Sequence, residues 1–249
     1  MTTPLLCDAA QALLDDRAFD ADWPARLPYR FDAAGRNALL GRLVRGARVL
    51  HLGFADHAPL IAAKRAQGVW LHDRVRAEAA AAWGVDIHAQ AVALAQGLGV
   101  PDLHAADVHG PEMPALVQRL APDAWLLPDV LEHLHEPVAF LQRLAQLSPQ
   151  ARLVVSVPNG LSLRNQLQAL RGVERINSDH LCWYSPFTTL KLLRRGGYVA
   201  EALWATQIAP AGSVAGRLLS ALVARRPLWA DNLVVVARVA DAASAAQPR

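Results

Sequence analysis

Four places in the chain set reactive or ligand-holding residue types at the ends of short apolar runs. The first is Arg48-Val-Leu-His-Leu followed by Gly53, where a glycine just past a strand lets the backbone approach a bound molecule closely. The second is Gly84-Val-Asp86-Ile87. An acid at a strand end can accept both hydroxyl hydrogens of a ribose, with Ile87 as an apolar contact for a base. Asp86 would equally serve as the N-cap of a helix starting near Ala89. The third is Ala106-Asp107-Val108, where an acid can accept from an exocyclic amine. Together the three ends outline a pocket for an adenosine-like group. The fourth is Leu127-Pro128-Asp129-Val-Leu-Glu132-His133, joined later by Ser178-Asp179-His180. Histidine is the usual general base near neutral pH, so His133 and His180 are the candidates for taking a proton from a hydroxyl. Each would also serve as a plain structural residue, His133 by bonding a backbone carbonyl at a helix start. Glu132 and His133 are two adjacent residues, whereas an open metal site needs three ligands, and no metal is expected. Trp183 and Tyr184 would either wall the acceptor pocket or belong to the core.

The elements that must position these residues are legible in the rhythm of the chain. Apolar runs at about 48–53, 82–87, 102–107, 124–128 and 151–157 alternate with longer Ala- and Leu-rich stretches of helical spacing. That alternation predicts βαβ units: an α/β, Rossmann-like, doubly wound and mostly parallel sheet with helices on both faces. Two later runs, at about 198–205 and 232–239, lack a long crossover after each and are expected to close the sheet as an antiparallel edge. Residues 1–46 read as an N-terminal helical cap or arm, 47–240 as the main domain with a helical insertion at about 207–229, and 241–249 as a flexible tail.

Composition narrows the class. The 249 residues are 53% hydrophobic with a net charge of +3, as suits one globular unit with a large core. The 25 Lys and Arg residues nearly balance 22 Asp and Glu and form no basic run, so no nucleic-acid partner is expected. Cys7 and Cys182 lack the paired spacing of a zinc site or disulfide framework, which fits a reducing, cytoplasmic setting. The first residues lack a secretory pattern, and no apolar run reaches the roughly 20 residues of a membrane span. Arg217, Arg225 and Arg226 in the insertion would meet an anionic acceptor or membrane headgroups, or form a solvated face. An apolar face there would suit a peripheral membrane contact or a homodimer.

The series VLHLG, GVDIHAQAV, AADV, DVLEHLHEPVAFL and LVVSVPNG resembles the class I methyltransferases that use S-adenosyl-L-methionine, in particular the branch with an EHL-P motif after strand four. The later DHLCWYSPFTTLKLLRRGGY resembles the segment before the sixth strand of that branch. The resemblance spans about residues 46–205. It implies that Gly53, Phe54 and Ala55 line the methionine and ribose side, and that Asp86 and Ile87 hold ribose and adenine. It further implies that Asp107 and Val108 meet the adenine ring and that Leu127 and Pro128 lie beside the sulfonium. The chain departs from the family where an acid usually stands two residues before the first glycine: it has His51, and Phe54, Ala55 and Asp56 replace later glycines. Asp56 is the candidate for the missing carboxylate. The resemblance implies methyl transfer, expected here onto an oxygen of a small-molecule or glycan-precursor acceptor. The altered loop keeps open a non-catalytic cofactor-binding or scaffold protein of the same fold. A nicotinamide-dependent dehydrogenase is disfavoured because the loop lacks a three-glycine phosphate cradle.

Overall fold

The computed structural model describes residues 5–208 and 214–241. Its centre is one eight-stranded sheet: β1 (Tyr29–Asp32), β2 (Arg48–Leu52), β3 (Ala81–Asp86), β4 (Leu103–Ala105), β5 (Ala124–Pro128), β6 (Arg152–Pro158), β7 (Tyr198–Thr206) and β8 (Asn232–Val239). Their order across the sheet is β1-β7-β8-β6-β5-β2-β3-β4. Each of the seven runs expected from the sequence is a strand. The pairs β2/β3, β3/β4, β2/β5, β5/β6 and β1/β7 are parallel, and β8 runs antiparallel to both β6 and β7. The antiparallel finish therefore lies at the expected end of the sheet, with β8 slotted between β6 and β7.

The outermost strand on that side comes from the stretch expected to form a helical arm. That arm holds α1 (Asp8–Leu14), then β1, then α2 (Arg36–Leu43). Tyr29-Arg-Phe-Asp32 is only four residues long, with Pro28 before it, too short to show an alternating pattern on its own.

Burial explains why the strands read as continuous apolar runs. In β6, Leu153, Val155 and Val157 enter one core and Val154 the opposite one, and β8 divides Leu233, Val235 and Ala237 from Val234 and Val236 in the same way. A sheet covered on both faces needs apolar residues at both parities. On the first face lie α6 (Met113–Leu120), α7 (Pro137–Leu147), α9 (Pro186–Arg195) and α1. On the second lie α2 and α4 (Leu71–Glu78). Towards the β4 edge, Phe54, Ile61, Trp70 and the α5 (Ala89–Gly97) residues Ala91, Val92 and Ala95 form a further cluster, beside α3 (Ile61–Ala66).

The inserted helix is α10 (Val214–Arg225), followed by a short turn at Pro227–Trp229. Residues 209–213 of the insertion and 242–249 of the tail lie outside the described residues. Leu218, Leu219 and Leu222 are exposed on α10, the kind of apolar face anticipated for a contact there. Among the described residues, no helix is long and apolar enough to cross a membrane.

Candidate active site

Register brings the first three sequence positions to one end of the sheet. Leu52 pairs with Val85 and Asp86 with Ala105, so Gly53 emerges beside Asp86, and Asp107 follows two residues past the end of β4. Gly53 takes φ +67°, a left-handed conformation that glycine adopts without steric cost, and its N–H donates to the Val85 carbonyl at 2.9 Å. A Cβ there would stand 2.7 Å from Val130 Cγ2. The loop after β2 and the loop after β5 thus touch because position 53 has no side chain.

Asp86 is buried. Its carboxylate accepts from the His88 N–H at 2.9 Å and from the Ala55 N–H at 3.4 Å, so it holds the start of α5 and the loop after β2 together. The helix-start role and a ligand role coexist, since a carboxylate offers about four lone-pair positions. Ile87, next to it, is 69% exposed, an apolar side chain at a strand tip with nothing of the chain over it. Asp107 is exposed and accepts from the His109 N–H at 2.9 Å, while Val108 is buried.

The altered loop after β2 has a physical explanation. Phe54 is buried with its ring against Trp70 and His72, at centroid distances of 6.2 and 5.1 Å, and packs so closely on Gly84 that a Cβ there would lie 2.7 Å from the ring. Its side chain is turned into the core, so only its backbone remains for the cofactor side, and it does not plug the strand tips. Asp56, the candidate for the missing carboxylate, forms an ion pair with Lys64.

His51, standing where an acid is usual, is buried and its Nδ1 meets Nδ1 of His72 at 3.1 Å. His72 sits fully buried in the first turn of α4. Burial, helped by Arg76 and Arg65, pushes His72 down to about 3, and burial with His72 and Arg36 nearby drives His51 well below its ordinary value. Both rings are therefore neutral, one donating and the other accepting.

At the exit of β5, Leu127 is fully buried and Pro128 half-buried. Asp129 adopts φ +51°; its Oδ1 accepts from the Ser156 hydroxyl at 2.8 Å and from Asn232 Nδ2 at 3.2 Å, while its Oδ2 pairs with Arg36. Arg36, the half-buried first residue of α2, is a charged member of this region that the sequence reading did not single out.

The next turn carries Glu132 and His133, and the fold brings the other candidate, His180, against them. The His133 and His180 rings meet edge to face with centroids 4.7 Å apart, and His180 Nε2 lies 3.9 Å from Glu132 Oε1. Two bonds align the segments: the Leu181 N–H donates to the Glu132 carbonyl at 2.8 Å, and His133 Nδ1 meets the Asp179 carbonyl at 3.1 Å. A carbonyl only accepts, so Nδ1 of His133 is the donor, and in the neutral ring Nε2 is then the acceptor. Burial, with His133 adjacent, lowers His180 below its ordinary value, and burial raises the Glu132 carboxyl to about 7.

Of the two aromatics, Tyr184 is core: it is buried and its hydroxyl donates to the Leu131 carbonyl at 3.2 Å. Trp183 is the wall. Its ring centroid lies 6.0 Å from that of His180, and its Nε1–H donates to Glu174 at 2.7 Å. It also lines a cavity of about 410 Å³ with Asn165, Gln168, Glu174 and Arg175, beside α8 (Leu163–Ala169). Trp183 links this cavity to the histidine pair, and neither Asp86 nor Asp107 lines it.

Comparison with known proteins places this geometry. The family described as methyltransferase domain matches residues 25–203. No curated protein matches the sequence. Among solved structures, a small RNA methyltransferase is similar at 17% identity and TM-score 0.55, covering 89% of this chain and 28% of that one. Magnesium protoporphyrin IX methyltransferase from Synechocystis PCC 6803, solved with bound SAH, is similar at 17% identity and TM-score 0.50, covering 82% of this chain and 81% of that one. A [4+2]-cyclase gives 16% identity and TM-score 0.50, covering 82% and 79%. At such identities these structures speak for the fold, whereas the family match takes in most of the chain, from before β1 into β7: the protein belongs to the methyltransferase domain family.

Proposed function

We propose that this chain is an S-adenosyl-L-methionine-dependent methyltransferase of the EHL-P branch, acting in the cytoplasm on a hydroxyl oxygen of a small-molecule or glycan-precursor acceptor. The observation that carries the reading is the convergence of Gly53, Asp86 and Asp107 at one end of the sheet, where the turn after β5 that touches Gly53 also sets His133 against His180. The strand tips suit the cofactor. Asp86 retains acceptor capacity for ribose hydroxyls after its two backbone bonds, Ile87 leaves an apolar surface uncovered, and Gly53 keeps the floor free of a side chain. Ala55 and the Phe54 backbone would border the methionine side, with Asp107 and Val108 at the adenine and Leu127 and Pro128 near the sulfur. The cofactor supplies an electrophilic methyl group on a sulfonium.

The residues of the chain then align and deprotonate the acceptor. His133, its Nδ1 proton pointed at the Asp179 carbonyl, offers Nε2 to the acceptor hydroxyl, and His180 stands against it as a second neutral base. Trp183 and the adjoining cavity supply the wall that would hold the acceptor. Alignment of the reacting atoms and exclusion of water carry most of the acceleration in such a displacement.

Calorimetry with S-adenosylmethionine and S-adenosylhomocysteine, followed by release of S-adenosylhomocysteine across a panel of hydroxyl-bearing acceptors, tests the reading. Binding with turnover supports it. Failure to bind either molecule at millimolar concentration would overturn it, and binding with no turnover on any acceptor would favour the non-catalytic cofactor-binding protein that the rebuilt loop after β2 suggests.

A further inference from the structure

We propose that α10 is a docking helix for an anionic lipid surface, lying flat in it with its leucines among the acyl chains. The helix is turned the wrong way for a core element. Val223 is buried with Ala205 and Ala230, whereas Leu218, Leu219 and Leu222 are 69%, 43% and 44% exposed. Leu218 and Leu222 stand four positions apart and so share one stripe of the helix, which Leu219 widens. Leu228, in the turn that follows, and Ile208, after β7, are exposed as well. A surface helix ordinarily turns its apolar stripe to the core, and an uncovered stripe marks a contact site.

Charge identifies the partner. Residues 207–230 contain Arg217, Arg225 and Arg226 and no acid, so this insertion carries the whole net charge of +3, the other 22 Lys and Arg being matched by 22 Asp and Glu. All three arginines are exposed, and the insertion offers them no acid to pair with. Leucines bordered by arginine suit a helix lying in the interface of a bilayer: the apolar side chains enter the acyl boundary while the long basic ones reach anionic headgroups. With 12 residues, α10 is about 18 Å long, which allows it to lie on a membrane and not to cross one.

A second copy of the chain and a nucleic-acid strand fit this face less well. A symmetric dimer would set the patch against itself, three arginines facing three with no acid between them. Single-stranded nucleic acid needs aromatic rings on which its bases stack, and the aromatic residue of the insertion, Trp229, is half-buried and packed with Val223, Ala205 and Ala230 instead. The helix also has a defined place in the fold. It bridges Thr206 at the end of β7 to Asn232 at the start of β8, which pair with each other, and Asn232 pairs with Pro158 at the end of β6. Asn232 Nδ2 in turn donates to Asp129 Oδ1 at 3.2 Å. The docking helix thus springs from the end of the sheet that bears Gly53 and Asp86.

The test is flotation of the full-length protein with vesicles of phosphatidylcholine alone and of phosphatidylcholine and phosphatidylglycerol in equal parts. Binding to the anionic vesicles is expected to be at least about tenfold tighter than to the neutral ones and to weaken as salt is raised. Leu218→Gln/Leu222→Gln and Arg225→Gln/Arg226→Gln should each weaken it about tenfold or more. These side chains are exposed, so both variants should fold, which circular dichroism verifies. No binding to anionic vesicles, equal binding to both kinds, or unchanged binding by the folded variants would overturn the proposal. So would capture of a single-stranded RNA oligonucleotide, or dimerisation in ultracentrifugation, that the same variants abolish while the wild type ignores vesicles. S-adenosylhomocysteine affinity should not change in these variants, so the docking face and the methyltransferase reading stand or fall separately.

Discussion

At the scale of single residues, Asp86 and Glu132 are both buried carboxylates, and their surroundings give them opposite characters. Asp86 is held by two backbone N–H groups, an arrangement that accommodates a negative charge. Replacing it by Ala should weaken S-adenosylhomocysteine binding by about 1–3 kcal/mol, measured by calorimetry, through loss of charge-assisted bonds. Unchanged affinity would remove Asp86 from the cofactor site. Glu132 has no such donors, and burial raises it from 4.5 to about 7. Between those two values the folded chain holds a proton there that the unfolded chain has released, so stability falls as pH rises through this window. On this account the protein should lose about 3 kcal/mol from pH 4.5 to pH 8, and Glu132→Gln should flatten that slope in denaturant titrations. The two acids look alike as strand-end or loop carboxylates in the sequence, because the difference lies in which backbone amides face each one, and only the folded chain sets that.

At the scale of elements, strands were legible where both faces of the sheet are covered, since β2, β5, β6 and β8 must then carry apolar residues at both parities. β1 escaped because an edge strand of four residues carries too short a pattern. His133 was legible from the motif after β5, but its partner His180 lies 47 positions later, and the bonds that join them run through backbone groups that carry no residue signature. The pairing of His51 with His72 was hidden for a similar reason: a histidine in α4 looks like a surface residue until α4 is laid across β2. That pairing makes a prediction of its own. Both rings are held below the ordinary histidine value, His72 at about 3, so below about 6.5 the unfolded chain takes up protons that the folded chain refuses. Stability should therefore drop as pH falls from 7 to 4, with His72 alone contributing about 3 kcal/mol. The double variant His51→Leu/His72→Leu, followed by urea unfolding at both pH values, should lose less over the same interval. An equal loss would assign the acid sensitivity to other groups.

At the scale of the whole molecule, the N-terminal arm is built into the domain at two distant points. β1 adds to the free edge of β7 through parallel pairing, and α1 is fastened to α9 by Asp15 with Arg194 and by Asp16 with Lys191. Asp15 and Arg194 are both buried, 7% and 6% exposed at the side chain, so their interaction is little screened by water. Removing one charge of such a pair typically costs about 3–5 kcal/mol, because the remaining charge keeps its desolvation penalty. Asp15→Asn should thus lower the midpoint of urea unfolding substantially. Because α1 packs into the same core as β5, β6, β8, α7 and α9, that loss should fall on the entire domain. The expected outcome is one cooperative transition displaced to lower urea with its slope retained, seen alike by far-ultraviolet circular dichroism and by tryptophan fluorescence. A separate early transition confined to one probe would instead show that the arm detaches on its own, and the sheet from β2 to β8 would then stand without it.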